Sequence, residues 1–251
     1  MGALMYDRDV LVRSIFMVVI MVVFVQLWTT TFAATGQVSV QGFSLRDMVW
    51  YLVITEVVAL STPRLAQTID SDVRGGDVAY ALSRPYSYPL YQLAAFWGET
   101  LPRLPVNALL GAIVAFVAVG PAPVTPLGVV ACLILGAGAI TLKAMFEVLI
   151  GLTAFWVEDT QPAEWIYNKF LITIGGLFLP LELFPVWLAA IARVLPFASI
   201  QYAPARAFVG GDDWSVLVSL GTIQLVWLLA TGLILVGVFS QATRRLVAHG
   251  G

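Results

Sequence analysis

Long apolar runs separated by short polar stretches dominate the hydrophobic pattern of this chain. A helix that crosses a membrane needs about 20 predominantly apolar residues. The pattern therefore predicts an all-α integral membrane protein with a single transmembrane domain and six spans. The predicted spans cover about residues 11–34, 45–65, 104–119, 127–155, 165–181 and 214–239.

The longest polar interruption, residues 69–85, separates the second span from the third. Gly75 and Gly76 are expected to end the helix that precedes them. Asp77 is suited to begin a new helix, because its carboxylate accepts hydrogen bonds from the free amides of a first turn. Pro85 ends this helix, because the residue before a proline disfavours the helical conformation.

The short helix predicted over residues 78–83 places Val78, Ala81 and Leu82 on one apolar face. An isolated helix of this length is unstable in water. It must therefore dock, either on its own membrane domain or on a cytosolic partner.

The apolar segment 183–209, which precedes the sixth predicted span, is broken by Pro185, Pro196 and Pro204. Its helical piece, residues 186–195, is too short to cross a membrane and is typical of a re-entrant or interfacial segment. We therefore predict a helical hairpin here.

The stretch 86–103 is rich in tyrosine and tryptophan and also carries Glu99 and Arg103. This composition favours a helix that lies in the membrane interface. The third span is accordingly predicted to begin at about residue 104.

The composition agrees with a membrane protein: 60% of residues are hydrophobic, 11% are charged, and mean hydropathy is +0.91. Soluble domains have about 25% charged residues. The net charge of −2 gives no indication of a nucleic-acid partner. The single cysteine, Cys132, and the single histidine, His249, support neither an intrachain disulfide nor a metal site.

The distribution of arginines predicts the orientation, since cytoplasmic loops carry the excess of positive charge. If both termini and the loop 69–85 are cytoplasmic, six arginines lie inside and the broken segment 183–209 lies outside. The inside arginines are then Arg8, Arg13, Arg74, Arg84, Arg244 and Arg245.

Five charged residues interrupt apolar segments. Glu99 with Arg103, and Lys143 with Glu147, are spaced four apart, which favours ion pairs along one helix near the cytoplasmic side. Glu56 has no partner nearby in sequence and must be protonated, paired across helices or directed into a polar cavity. The alternative interpretation of all five is a path for ions or protons.

Motifs of catalysis are missing from the sequence. It contains no GxSxG, no HExxH, and no phosphate-binding loop, because neither Lys143 nor Lys169 follows a glycine. We therefore predict that the chain is not an enzyme, has no catalytic or metal-binding residues and binds no cofactor itself.

The order of these features resembles the ABC-2-type permeases, the membrane subunits of bacterial ATP-binding-cassette exporters. Residues 72–76 (DVRGG) and 81–85 (ALSRP) resemble the cytosolic loop between the second and third spans. Residues 180–181, 184–188 and 195–197 resemble the hairpin that precedes the sixth span.

This resemblance implies a multi-pass protein of the bacterial inner membrane that works with a second permease and with cytosolic ATPase subunits, which bind ATP and magnesium. The cytosolic loop would hold the coupling helix that seats on the ATPase, and the hairpin would shape the outer gate. The residues implied in coupling are Asp77, Val78, Ala81, Leu82 and Arg84. Those implied at the gate are Pro185, Trp187 and Pro196.

Two other interpretations remain open at this point. The first is a secondary transporter that couples transport to ions or protons through Glu56 and the two charge pairs. The second is a membrane scaffold without a transport path. The sequence does not indicate the substrate.

Overall fold

The computed structural model describes residues 2–82, 87–211 and 213–249, which form eleven helices and one small β-hairpin. The strands β1 (Ser39–Val40) and β2 (Phe43–Ser44) pair antiparallel. The helices are α1 (Gly2–Thr35), α2 (Leu45–Ser61), α3 (Leu65–Gly75), α4 (Asp77–Leu82), α5 (Tyr88–Val119), α6 (Pro126–Leu152), α7 (Gln161–Thr173), α8 (Val186–Val194), α9 (Pro196–Ile200), α10 (Tyr202–Val209) and α11 (Trp214–His249). Short 3₁₀ turns lie at Thr153–Phe155, directly after α6, and at Leu181–Leu183, between α7 and α8.

The all-helical membrane character is confirmed. Among the described residues, five helical stretches are long and apolar enough to cross a membrane. They are Ile15–Thr35, Leu45–Gly75, Tyr88–Val119, Pro126–Phe155 and Trp214–Arg244.

The segment predicted as the fifth span, 165–181, does not form one long helix. Helix α7 has only 13 residues and ends at Thr173. Gly176 then adopts a φ of +81°, and a side chain at Gly175 would lie 2.3 Å from the carbonyl oxygen of Leu171. These two glycines turn the chain out of the helix, although the apolar pattern continues past them.

Helix α5 begins well before the predicted third span. The stretch 86–103, predicted as an interfacial helix, is described from residue 87 onward and forms the first half of α5 from Tyr88. Of the residues that suggested an interface, Tyr88 and Arg103 are buried, whereas Tyr91 and Glu99 are exposed. The buried polar residues of α5 are Gln92, Thr100, Arg103 and Asn107.

Contacts between helices define two ends of the bundle. At the first, which we call the hairpin end, Trp50 of α2 donates a hydrogen bond to the carbonyl of Gly120 after α5, and the backbone of Gly128 in α6 lies against α10. At the second, the α3 end, Gly151 near the C-terminus of α6 lies against Ile69 of α3.

Helices α6 and α11 run in the same direction between these ends. Their N-terminal parts share a cluster that includes Leu135 and Leu217, and their C-terminal parts share another that includes Val148 and Leu235. The chain must therefore return from the α3 end to the hairpin end between them. Helix α7 and the irregular residues 174–183 make this return.

Candidate functional site

Helices α3 and α4 occupy the region that the sequence predicts as a polar loop. Helix α3 ends at Gly75, and Gly76 takes a φ of +81°, which a residue without a Cβ adopts easily. The amide of Gly76 donates to the carbonyl of Val73. The six-residue α4 begins directly afterwards at Asp77.

Val78 of α4 faces its own membrane domain. It is 1% exposed and belongs to an apolar cluster with Leu65, Ile69 and Tyr88. The prediction that Val78 faces a partner is therefore wrong for this structure, because its side chain is used to dock α4. Arg84 and the side chains of Ala81 and Leu82 lie outside the described residues.

The outward side of α4 carries two described residues at its start. Asp77 is exposed, and the ring of Tyr80 is 68% exposed. Tyr80 is not among the residues predicted from the sequence, because the predicted apolar face consists of Val78, Ala81 and Leu82 alone. An exposed aromatic side chain outside the apolar runs was the signal that could have identified it.

Polar side chains tie α3 to its neighbours on two sides. Asp72 accepts hydrogen bonds from the side chains of Tyr88 and Gln92 of α5, at 3.2 and 3.3 Å. On the other side, the carboxylate of Asp70 is 2.8 Å from Arg74 and accepts a bond of 2.9 Å from Thr160, which precedes α7. Helix α3 thus connects the start of α5 to the start of α7.

Lys143 and Glu147 of α6 hold the break between α2 and α3. The ammonium group of Lys143 donates to the hydroxyl of Thr62 at 2.5 Å and to the carbonyl of Ala59 at 3.5 Å, at the C-terminus of α2. The carboxylate of Glu147 accepts from the amide of Ala66 at 3.0 Å, in the first turn of α3. A cation thus lies at a helix C-terminus and an anion at a helix N-terminus, which is the favourable arrangement at both ends.

The predicted pair Glu99–Arg103 forms on α5, with 3.2 Å between the carboxylate and the guanidinium. Arg103 is 5% exposed, whereas the side chain of Glu99 is 53% exposed. Both line a polar cavity of about 510 Å³ that also borders Asp72 of α3 and Arg64, which precedes that helix. The structure therefore places the two predicted charge pairs at the α3 end, one on each side of α3.

A family model described as an ABC-2 family transporter protein matches residues 13–250. The chain belongs to the ABC-2 transporter family. No curated protein and no solved structure matches it. Membership of this family makes the chain a multi-pass membrane permease, the membrane subunit of an ATP-binding-cassette transporter. The family resemblance inferred from the sequence is thus confirmed.

Glu56 is the one predicted polar residue of the permease that lies apart from this cluster. It is 2% exposed, near the middle of the span that α2 begins. Its Oε1 atom has no hydrogen-bond partner among the described residues. The carboxyl group thus faces protein rather than lipid, at the cost of one unsatisfied buried oxygen.

The predicted gate residues of the permease serve mainly as helix boundaries. Pro185 precedes α8, and Pro196, which is buried, begins α9. The indole of Trp187 is 66% exposed and points away from the bundle.

A polar cluster of Glu182, Tyr202 and Arg206, which was not predicted from the sequence, lies in the same part of the chain. The Oε1 atom of Glu182 accepts hydrogen bonds from the hydroxyl of Tyr202 at 2.7 Å and from Nε of Arg206 at 3.1 Å. Burial, reinforced by the carboxylate of Glu182, raises the pKa of Tyr202. The tyrosine therefore keeps its proton and remains a donor, which fixes α10 to the turn that carries Glu182.

Proposed function

We propose that this permease forms the transport path of an exporter and that a separate ATPase drives it through α3 and α4. The observation that carries the proposal is the position of α4. Its inner side is docked on the membrane domain through Val78, and its outer side presents Asp77 and Tyr80 at the α3 end. A helix anchored on one side and exposed on the other is suited to receive a force from a soluble partner.

Close packing supports the transmission of that force into the membrane. A Cβ added to Gly151 of α6 would lie 2.6 Å from Cβ of Ile69 and 3.1 Å from the carbonyl oxygen of Ala66. Helix α3 therefore packs closely against α6 at Gly151, where α6 has no side chain. Since Lys143 and Glu147 also fix the α2–α3 break to α6, a displacement of α4 would move α3, α6 and the end of α2 together.

The directions of the helices support six membrane crossings. The five helical stretches and the broken return through α7 and residues 174–183 then alternate between the two ends. The start of α1 and the end of α11 would both lie at the α3 end. In this proposal the α3 end is cytoplasmic in the bacterial inner membrane, and the hairpin end faces outside, as the arginines indicate.

A second permease and the ATPase complete the proposed transporter. The sequence has no phosphate-binding loop, so ATP and magnesium would be bound by the ATPase subunits. Large apolar side chains on the bundle surface, such as Leu109, Phe116 and Leu233, are exposed in the single chain. These faces are available to lipid and to the second permease.

Glu56 supports a second candidate function, namely coupling to ions or protons. A buried carboxyl group with an unsatisfied oxygen is typical of such sites. The two candidates differ in their energy source. Transport by reconstituted vesicles that requires ATP and the ATPase, and that persists when the proton gradient is abolished, is the result expected for an exporter driven by ATP.

Substitution of Glu56 by methionine separates the two candidates further. Methionine has a similar length and no polar group that needs a hydrogen-bond partner. A buried polar group without such a partner costs about 1–3 kcal/mol in stability. We expect Glu56→Met to melt in detergent at the same or a higher temperature than wild type and to retain transport driven by ATP. Glu158→Met, at an exposed position, is the matched control. Loss of transport in a stable Glu56→Met protein would favour the ion-coupled candidate.

The proposal itself is tested by purification of the permease from its native membranes in a mild detergent. A soluble ATPase should co-purify, and ATP hydrolysis should depend on that chain. Robust hydrolysis by the permease free of other chains would contradict the proposal.

A further inference from the structure

A polar cavity of about 350 Å³ lies at the hairpin end, between the helices α8–α10 and the start of α11. Ligand sites in proteins have volumes of roughly 300–1,000 Å³, so this cavity has room for a small molecule or a headgroup rather than for a whole lipid. The predicted gate residues do not line it. Its polar lining includes Glu182, Arg193, Tyr202, Arg206, Ser215 and Ser219.

The charges in this lining do not cancel. Glu182 is paired with Arg206. Arg193 is exposed and makes no hydrogen bond or ion pair with another described residue. Asp213, which directly precedes α11, accepts a hydrogen bond from the hydroxyl of Ser215 that lowers its pKa, so it stays ionised, but it does not line the cavity. One positive charge of the cavity, that of Arg193, is therefore left for an anion.

Arg206 is held in position before any ligand arrives. Its guanidinium lies 5.6 Å from the centre of the Phe43 ring and bonds Glu182 through Nε. It also passes so close to Gly210 that an added Cβ would lie 1.4 Å from Nη1. A side chain already fixed in place loses less conformational entropy when it binds a ligand.

We propose that this cavity binds a phosphate group, with Arg193 and Arg206 as its cationic contacts and Ser219 as a hydroxyl donor. The hydroxyl of Ser219 makes no hydrogen bond with another described residue. Guanidinium groups match phosphate oxygens in geometry and charge, and a phosphate has enough oxygens to accept from all three side chains at once. The phosphate belongs either to a free phosphate compound or to a lipid headgroup. The inference depends only on the hairpin end and holds whichever energy source drives the permease.

Titration calorimetry on the purified permease in a non-ionic detergent tests this inference. The probes are inorganic phosphate and dihexanoyl phosphatidic acid, each compared with sodium chloride at equal ionic strength. Saturable binding of inorganic phosphate assigns the site to a free phosphate compound. Saturable binding of the phosphatidic acid alone assigns it to a lipid headgroup, and either result supports a phosphate site.

Variants then locate the binding. Arg193→Gln should weaken it by about tenfold or more, since a hydrogen bond to a charged group is worth at least about one decade of affinity. Arg46→Gln removes the same charge from an exposed position at the same end, outside the cavity lining, and should bind as wild type does. Because Arg193 is exposed, both variants should melt at the wild-type temperature. Absence of saturable binding by either probe, or wild-type affinity in Arg193→Gln, would overturn the inference.

Discussion

Lys143 and Glu147 are examples of buried charges whose partners lie on other helices. Each satisfies backbone or hydroxyl groups that the break at Pro63 leaves free. Removing one partner from a buried polar contact costs more than the contact itself contributes, because the group left behind has lost its water as well. The stability of the α2–α3 break should therefore depend on single side chains of α6.

The Lys143→Met variant tests this dependence. It removes the hydrogen bond that the charged Lys143 donates to the hydroxyl of Thr62, which itself still donates to the carbonyl of Ala59, so we expect a loss of about 1–3 kcal/mol in stability. For a chain of this size, each 1 kcal/mol lowers the melting temperature by about 2–4 °C. The other lysine, Lys169, is exposed near the Trp165 ring, and Lys169→Met should have a smaller effect. Equal melting temperatures of the two variants would show that Lys143 does not hold the break.

At the scale of single elements, α3 depends on its close approach to α6. Gly151→Ala would place a methyl group 2.6 Å from Cβ of Ile69 and should destabilise the permease by about 1–3 kcal/mol through overpacking. Gly136 lies on the same helix with nothing within 4 Å of an added Cβ. Gly136→Ala should therefore leave stability unchanged or raise it by about 0.5–1 kcal/mol. Thermal unfolding of both variants in detergent measures the contrast, and similar shifts in both would contradict a close contact between α3 and α6 at Gly151.

Helix ends that depend on local chemistry could be predicted from the sequence. Serine is a preferred residue at the start of a helix, and Ser44 caps α2, where its hydroxyl and Asp47 form a reciprocal capping box. Aspartate is likewise preferred there, and the carboxylate of Asp213, before α11, accepts hydrogen bonds from the amides of Ser215 and Val216. Such motifs lie within four residues of chain, so the sequence alone contains them.

Elements whose form depends on distant contacts could not be predicted in the same way. The first half of α5 has an interfacial composition, but its Tyr88 and Arg103 are buried, and Asn107 in the second half donates to Ser61 of α2. The docking of Val78 depends on Leu65, Ile69 and Tyr88, which lie on both sides of it in the chain. The cluster of Glu182, Tyr202 and Arg206 likewise joins a turn to a helix about 20 residues later.

At the scale of the whole molecule, the two ends carry different surfaces. The α3 end presents α4, and the hairpin end presents the phosphate cavity proposed above. The sequence indicated this separation through the order of its polar loops and the distribution of arginines. The side chains that lie together at each end could not be predicted, because they depend on contacts between helices.

Single cysteines in a Cys132→Ala background test the six crossings. We expect Glu158→Cys and Ser71→Cys, at the α3 end, to react with an impermeant maleimide only after spheroplast membranes are opened. Val38→Cys and Val186→Cys, both highly exposed at the hairpin end, should react in intact spheroplasts. If Glu158→Cys and Val186→Cys react from the same side, the chain between them does not cross the membrane.

The central claim is that α4 transmits the work of a separate ATPase to the permease, and Tyr80 is its most direct test. Burying an aromatic side chain at an interface is worth about 1.5–3 kcal/mol, so Tyr80→Asp should weaken ATPase binding by about tenfold or more. The measurement is the amount of ATPase retained on immobilised permease across a range of ATPase concentrations, with gel filtration of each variant alone. Trp187→Asp, an equally exposed aromatic position at the opposite end, is the control and should bind as wild type does. Selective loss of binding in a monodisperse Tyr80→Asp protein is the predicted result, and wild-type binding by Tyr80→Asp would contradict the account.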